Sequence, residues 1–277
     1  MPYQVYRIEC DPGTRDILIA LLAEAGLEAF EETAYGLDAY GTVEDGARHR
    51  NVLDEIRKDS ELTFREEVLP DKNWNEVWES SFTPIRIGNA VAIRASFHAA
   101  IPGVTHDLVI DPKMAFGTGH HATTYLMCEL MLELFSVTES PDRILDYGSG
   151  TGVLAILAKR CGATVVDAVD IERAAAESTW ENAALNQVNL DSVVHGTLDD
   201  VPARQPYDLI LANINRNVLL QSGRALYGRL RPGGSLLASG ILEPDAQPLV
   251  AHLRGLGFRH RQTRSREDWR AFQFYRD

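Results

Sequence analysis

From Arg143 onward one unit repeats: a short, mostly apolar strand followed by a helix. Arg143–Tyr147 leads into a helix over Val153–Arg160, Thr164–Ile171 into Arg173–Asn186, and Asp208–Ile214 into Asn217–Leu230. A turn at Arg231-Pro232-Gly233-Gly234 then precedes a further strand, Ser235–Ser239. Strands this apolar are buried on both faces, and parallel neighbours need a crossover helix between them. The rhythm predicts an α/β domain with a doubly wound, mostly parallel sheet. Phe258–Thr263 and Trp269–Tyr275, separated by a short polar turn, read as a hairpin rather than another crossover, and Ile85–Ile110 reads as short strands.

The first 68 residues follow a different pattern. Tyr3–Ile8 alternates as a strand does, Pro12 and Gly13 interrupt it, and Ile17, Leu18, Leu21, Leu22 and Ala25 recur at helical spacing until Gly26. Leu27–Thr33 and Leu37–Val43 read as strands joined around Tyr35-Gly36, Glu44–Lys58 as a second helix and Leu62–Val68 as a closing strand. The order βαββαβ predicts a small ferredoxin-like α+β domain. Trp74 and Trp78 then lie one helical turn apart. This predicts a linker helix over 69–81, its tryptophans packed on a neighbouring domain or in a core. The expected domains are 1–68, 69–81 and 82–277.

The chain carries 40 acidic and 27 basic residues, a net charge of −13. So acidic a balance gives no broad basic face, and direct nucleic-acid binding is not expected. Residues 1–70 hold 16 of the acids and only 7 of the bases. That concentration suits either an ordinary solvated surface or one that attracts a basic protein. Cys10, Cys128 and Cys161 lack CxxC spacing and read as reduced thiols. No signal-peptide pattern opens the chain, and no apolar run approaches the ~18 residues of a membrane span. A cytoplasmic protein without a membrane partner is expected.

Ile144-Leu145-Asp146-Tyr147-Gly148-Ser149-Gly150-Thr151-Gly152 sits where a strand ends and a helix begins. Glycine there lets the backbone turn sharply and a ligand approach closely, and the helix N-terminus offers free N–H groups. The spacing is GxGxG, with Asp146 ahead of Gly148, and position 153 lacks the third glycine of the dinucleotide pattern GxGxxG. Gly148, Gly150 and Asp146 are candidate cofactor contacts, and a ligand-free tight turn is the alternative. The next strand ends in Asp170, whose carboxylate suits a ribose diol or a helix cap. Asp167 competes from mid-strand. Asp199 and Asp200 follow the strand at Ser192–His195, where a carboxylate could meet an adenine amino group or lie in a polar loop.

Asn213 ends the strand Asp208–Ile214, and ligands of open α/β sheets bind beyond the carboxyl ends of strands. Its amide oxygen suits an incoming amine, or a helix cap.

The GxGxG loop with its preceding acid resembles the first motif of Rossmann-like methyltransferases. Asp111-Pro112-Lys113-Met114-Ala115-Phe116-Gly117-Thr118-Gly119-His120-His121-Ala122-Thr123-Thr124 is more distinctive. With Asn73–Gly88, the glycine loop, Val169–Ile171, Ala212–Ile214 and Ser239–Leu242, it makes most of the chain similar to the PrmA family, the methyltransferases of large-subunit ribosomal protein L eleven. The resemblance implies a Rossmann-like class I methyltransferase domain using S-adenosylmethionine. It implies that Phe116, Gly117, Thr118 and Gly119 cover the cofactor, and that Thr124, Gly148, Asp170 and Asn213 contact it. It also implies that Asn213 is catalytic, that the N-terminal unit recognises the ribosomal protein, and that the linker lets the domains reorient. Methyl groups would go to lysine side chains and the N-terminal amine. The chain departs from the family pattern at His120, Ala122, Ser149 and Asn215. His121 matches, as a structural hydrogen-bonding residue or a base. No metal is expected.

Overall fold

The computed structural model describes the chain apart from residues 1–2, 12–13, 28, 34, 60–61, 69–82, 112–120, 138–140 and 203–204. The chain divides into two units, Met1–Phe82 and Thr83–Asp277. The 69–81 segment with Trp74 and Trp78 lies outside the described residues, as do Phe116, Gly117, Thr118, Gly119 and His120.

The first unit runs β1 (Tyr3–Glu9), α1 (Arg15–Glu24), β2 (Ala29–Thr33), β3 (Gly36–Thr42), α2 (Gly46–Asp59) and β4 (Thr63–Val68). Its strands lie in the order β2-β3-β1-β4 with every neighbouring pair antiparallel, the ferredoxin-like arrangement. Tyr6 and Ile8 from β1 and Leu37 from β3 share one core with Leu18 and Leu22 of α1 and Leu53 of α2. The alternation of β1 puts one face of the sheet under the helices.

The second unit opens with a three-stranded sheet of β5 (Ile85–Ile87), β6 (Val91–Arg94) and β7 (His106–Val109). Then follow α3 (Ala122–Val137), β8 (Arg143–Tyr147), α4 (Val153–Arg160), β9 (Val165–Asp170), α5 (Arg173–Leu185) and β10 (Ser192–His195). The chain ends with β11 (Tyr207–Asn213), α6 (Arg216–Arg229), β12 (Leu230–Leu242), α7 (Glu243–Gly255), β13 (Phe258–Arg266) and β14 (Trp269–Arg276). The large sheet has the order β10-β9-β8-β11-β12-β14-β13. Its first five strands are parallel, while β14 is antiparallel to both neighbours. This is a Rossmann-like fold with a hairpin at one edge.

Adjacent residues on the strands enter opposite cores. Ile144, Leu209, Leu211 and Leu237 join α3 and α4, while Leu145, Ile210, Leu236 and Ala238 join α6 and α7. Burial on both faces is why these strands are almost wholly apolar. The direction of winding reverses between β8 and β11, so a crevice opens there beyond the strand ends.

The expected turn at Arg231–Gly234 is instead an interruption within β12. Tyr207 pairs with Leu230 and Leu209 with Ser235, so four residues of β12 bulge opposite Asp208. Leu230 is fully buried and keeps its pairing, which makes the segment a bulge rather than the end of an element.

Candidate active site

The crevice between the ends of β8, β9 and β11 holds a cleft of about 300 Å³. Its walls include Thr124, Gly148, Gly150, Asp170, Ile171, Gly196, Asn213 and Val218. Thr124, Gly148, Gly150, Asp170 and Asn213, all picked out in the sequence, therefore converge on one space.

The glycine loop turns with Gly148, Gly150 and Gly152 at φ of +79°, +56° and +80°, the left-handed region that glycine enters without penalty. A Cβ on Gly148 would stand 2.4 Å from Ile214 Cγ2, so only glycine fits against the residue that follows β11. The loop opens directly onto the N-terminus of α4, whose first N–H groups have no partner within the helix.

Asp170, at the end of β9, accepts from Gly150 N–H at 2.9 Å through Oδ2 and from Glu172 N–H at 3.0 Å through Oδ1. The carboxylate thus clamps the loop, and each oxygen keeps a second lone pair for a ligand. It does not cap α5, whose N-cap residue is Glu172. Asp167 faces away from this role. It is buried and accepts from Ser192 Oγ at 2.6 Å and Tyr207 OH at 2.8 Å. Asp200 is consumed in a capping box, accepting from Thr197 N–H at 2.7 Å, and neither it nor Asp199 lines the cleft.

Asn213 is not a helix cap; Asn215 is, accepting from Val218 N–H at 3.0 Å. The Asn213 Nδ2 donates to Thr124 Oγ1 at 3.4 Å, and among the described residues its buried Oδ1 has no partner. Thr124 comes from the first turn of α3. His121 just ahead of that helix accepts from Thr123 N–H at 3.3 Å, shares a hydrogen bond with Thr123 Oγ1 at 2.8 Å, and packs edge-on against Trp269. Burial pushes the His121 imidazole below its ordinary pKa against the opposing charge of Glu267, and its ring anchors the helix start through Thr123.

Asp146, expected beside the cofactor, lies under the loop instead. It is fully buried, does not line the cleft, and accepts from Ala155 N–H in α4 at 3.1 Å. Burial pushes its carboxyl up to about 7; the Ala155 bond opposes the shift and the charge of Asp170 adds to it.

A family model described as ribosomal protein L11 methyltransferase (PrmA) matches residues 21–277. The chain belongs to this family. It is 41% identical over 266 residues to a ribosomal protein L11 methyltransferase of Porphyromonas gingivalis, covering 95% of this chain and 91% of that one. A Bacteroides thetaiotaomicron protein of the same name is 38% identical over 273 residues, covering 96% and 95%. A crystal structure of a ribosomal protein L11 methylase from Lactobacillus delbrueckii subsp. bulgaricus superposes with a TM-score of 0.61 at 27% identity, covering 71% of this chain and all of that one.

As a member of the PrmA family the chain is a methyltransferase, and its methyl donor is S-adenosylmethionine. The cleft fits that molecule. A carboxylate with open lone pairs suits the ribose hydroxyls, the α4 N-terminus suits the amino-acid carboxylate, and Ile171, 69% exposed at the rim, offers an apolar wall to the base. Ile171, Gly196 and Val218 were missed in the sequence. An exposed isoleucine directly after a strand-end acid is the one signal that marks the first of them.

Proposed function

We propose that this methyltransferase modifies amine nitrogens of large-subunit ribosomal protein L11, lysine side chains and/or the N-terminal amine, in the cytoplasm. The acidic residues of 1–68 recognise the substrate, and 82–277 carries out the transfer. The relatives' names support the substrate. Among the described residues no helix is long and apolar enough to cross a membrane.

The reading of the chemistry rests on one observation: the carboxamide of Asn213, at the cleft, donates from its nitrogen to Thr124 and, among the described residues, keeps its oxygen without a partner. S-adenosylmethionine supplies a methyl group on a sulfonium, a leaving group that needs no activation by the protein. The remaining work is to present a neutral amine in line. A lysine amine ordinarily holds its proton up to a pKa of about 10.4. Apolar neighbours such as Ile214 and Val218 at the cleft favour the uncharged form. Asn213 Oδ1 accepts an N–H of that amine and fixes the direction of its lone pair, which is where positioning yields rate.

The test is mass spectrometry after incubating the enzyme and isotopically labelled S-adenosylmethionine with purified ribosomal protein L11 or with whole-lysate protein. Label on lysines and/or the N-terminus of L11 is the expected result. Label on lysines of other lysate proteins with L11 unmodified would assign the same chemistry to a different substrate.

A further inference from the structure

One face of α5 is both polar and buried. Ser178, Thr179, Asn182 and Asn186 are each no more than 2% exposed. Polar groups are buried at a cost unless each finds a partner, so the partners show what this face is for. Thr179 Oγ1 donates to Gly150 O at 3.0 Å, which secures the glycine loop. Asn186 pairs its amide with both backbone groups of Val109, accepting from N–H at 2.9 Å and donating to O at 2.6 Å, which secures the end of β7. Asn182 does both. Its Nδ2 donates to Thr151 O at 2.9 Å, and its Oδ1 accepts from Asp111 N–H at 3.0 Å.

Asp111 does not line the cleft. Its carboxylate accepts from Ser96 N–H at 2.7 Å and Ser96 Oγ at 2.9 Å, so it is held on both sides.

We propose that Asn182 is a positioning residue for methyl transfer, its single carboxamide setting the glycine loop in register with Asp111. Ligand engagement of the loop is thereby transmitted to Asp111, a residue outside the cleft. The inference rests on the cofactor reading of the cleft. Asn186 supplies the internal comparison: the same residue type, at the C-cap of the same helix, tied to the end of β7 but not to the loop.

The experiment uses the full-length enzyme and S-adenosylhomocysteine as the probe. Residue-resolved amide exchange by NMR is recorded with and without it, alongside calorimetric affinity, kcat and melting temperature for Asn182→Ala and Asn186→Ala. In the wild type, exchange at Asp111 slows together with that at Gly150 and Thr151. Asn182→Ala weakens binding roughly tenfold and lowers kcat, as expected for the loss of a hydrogen bond that orders a binding loop. Asn186→Ala melts lower by a similar amount yet binds within about twofold of wild type.

Should Asn182→Ala fail to fold, Asn182→Asp decides by the same affinity criterion. It keeps the acceptor for Asp111 and loses the donor to Thr151. Equal affinities for the Asn182 and Asn186 variants would overturn the proposal. So would a wild type in which the probe slows exchange in the loop and leaves Asp111 unchanged. A wild type that does not bind the probe at all would overturn the cofactor reading itself, and this inference with it.

Discussion

Asn213 and Thr124 stand 89 residues apart in sequence and 3.4 Å apart in space, Nδ2 of the first donating to Oγ1 of the second. One ends β11 and the other begins α3, so the pairing brings a strand from the middle of the sheet and a helix from its margin to the same ligand. The threonine decides which end of the amide is left over, and the end left over is an acceptor. An amine carries donors, so the arrangement matches the nucleophile that the proposed reaction requires.

If that acceptor orients the amine, Asn213→Ala lowers kcat by roughly 10²-fold and leaves affinity for S-adenosylhomocysteine within a few-fold, because misaimed reactants lose rate rather than binding. Thr124→Val frees the amide to rotate and has a smaller effect on kcat in the same direction. Steady-state kinetics on ribosomal protein L11 and calorimetry separate the two quantities. Full activity in Asn213→Ala would remove this residue from the mechanism.

Asp170 holds the loop, and on the proposed reading the same carboxylate also holds the ribose, so its replacement acts on both. Asp170→Ala releases the Gly150 and Glu172 amides and removes the ribose acceptor. Hydrogen bonds to a charged group are worth about 1.5–3 kcal/mol each. The expected loss of cofactor affinity is therefore on the order of 10²-fold, read by calorimetry. Unchanged affinity would mean that the carboxylate serves the loop alone.

The parts of this site that were legible in the sequence are those specified locally. Gly148, Gly150 and Asp170 each sit at a strand end, where a single residue type answers a backbone or ligand need. The strands were legible because burial on both faces leaves a continuous apolar run. What was not legible depends on distance. The resemblance names Thr124 and Asn213 singly, but nothing in the sequence pairs them, and nothing in it brings Thr151 and Asp111 to Asn182. The place of Asp146 is hidden in the sequence for a related reason. An acid before a glycine loop implies a ligand contact, but the strand register turns its side chain beneath the loop. Two helices were also unmarked. α3 is apolar around much of its circumference, and α7 contains Pro248, which ordinarily argues against a helix.

The loop's tolerance for side chains makes a sharper test of its geometry. Gly148→Ala meets Ile214 Cγ2 at 2.4 Å, and Gly152→Ala meets Thr179 Cγ2 at 2.9 Å, both at positive φ. The left-handed conformation alone costs an alanine roughly 1–2 kcal/mol. Both variants are expected to melt several degrees below wild type. Gly148→Ala should lose more cofactor affinity, since its clash lies at the cleft and the other lies beneath it. Thermal denaturation with and without S-adenosylhomocysteine measures both effects, and a Gly148→Ala enzyme with wild-type affinity would count against close approach of the ligand there.

Asp146 gives the fold a pH dependence of unusual sign. Its carboxyl is pushed from 3.8 in the free side chain up to about 7, chiefly by burial. One charged neighbour bears on it, Asp170 from β9, whose charge raises it further; the Cys128 thiol of α3, itself pushed up chiefly by burial, is neutral here and puts no charge on it. Below pH 4 the group is protonated both folded and unfolded and contributes no slope. Between about 4 and 7 the folded protein retains a proton that the unfolded chain releases, so stability falls as pH rises, by at most about 1.4 kcal/mol per pH unit. Above 7 both states are ionised and the slope vanishes. Asp146→Asn keeps an acceptor for the Ala155 amide and cannot ionise. Denaturant unfolding of the two proteins across this range is therefore expected to give a stability difference that grows in favour of the asparagine variant from pH 4 to 7 and then levels off. Carboxylates not coupled to Asp146 contribute equally in both proteins and cancel. A difference that stayed flat across those pH values would show that Asp146 ionises as freely as an exposed carboxyl, and that solvent reaches it beneath the glycine loop despite its burial.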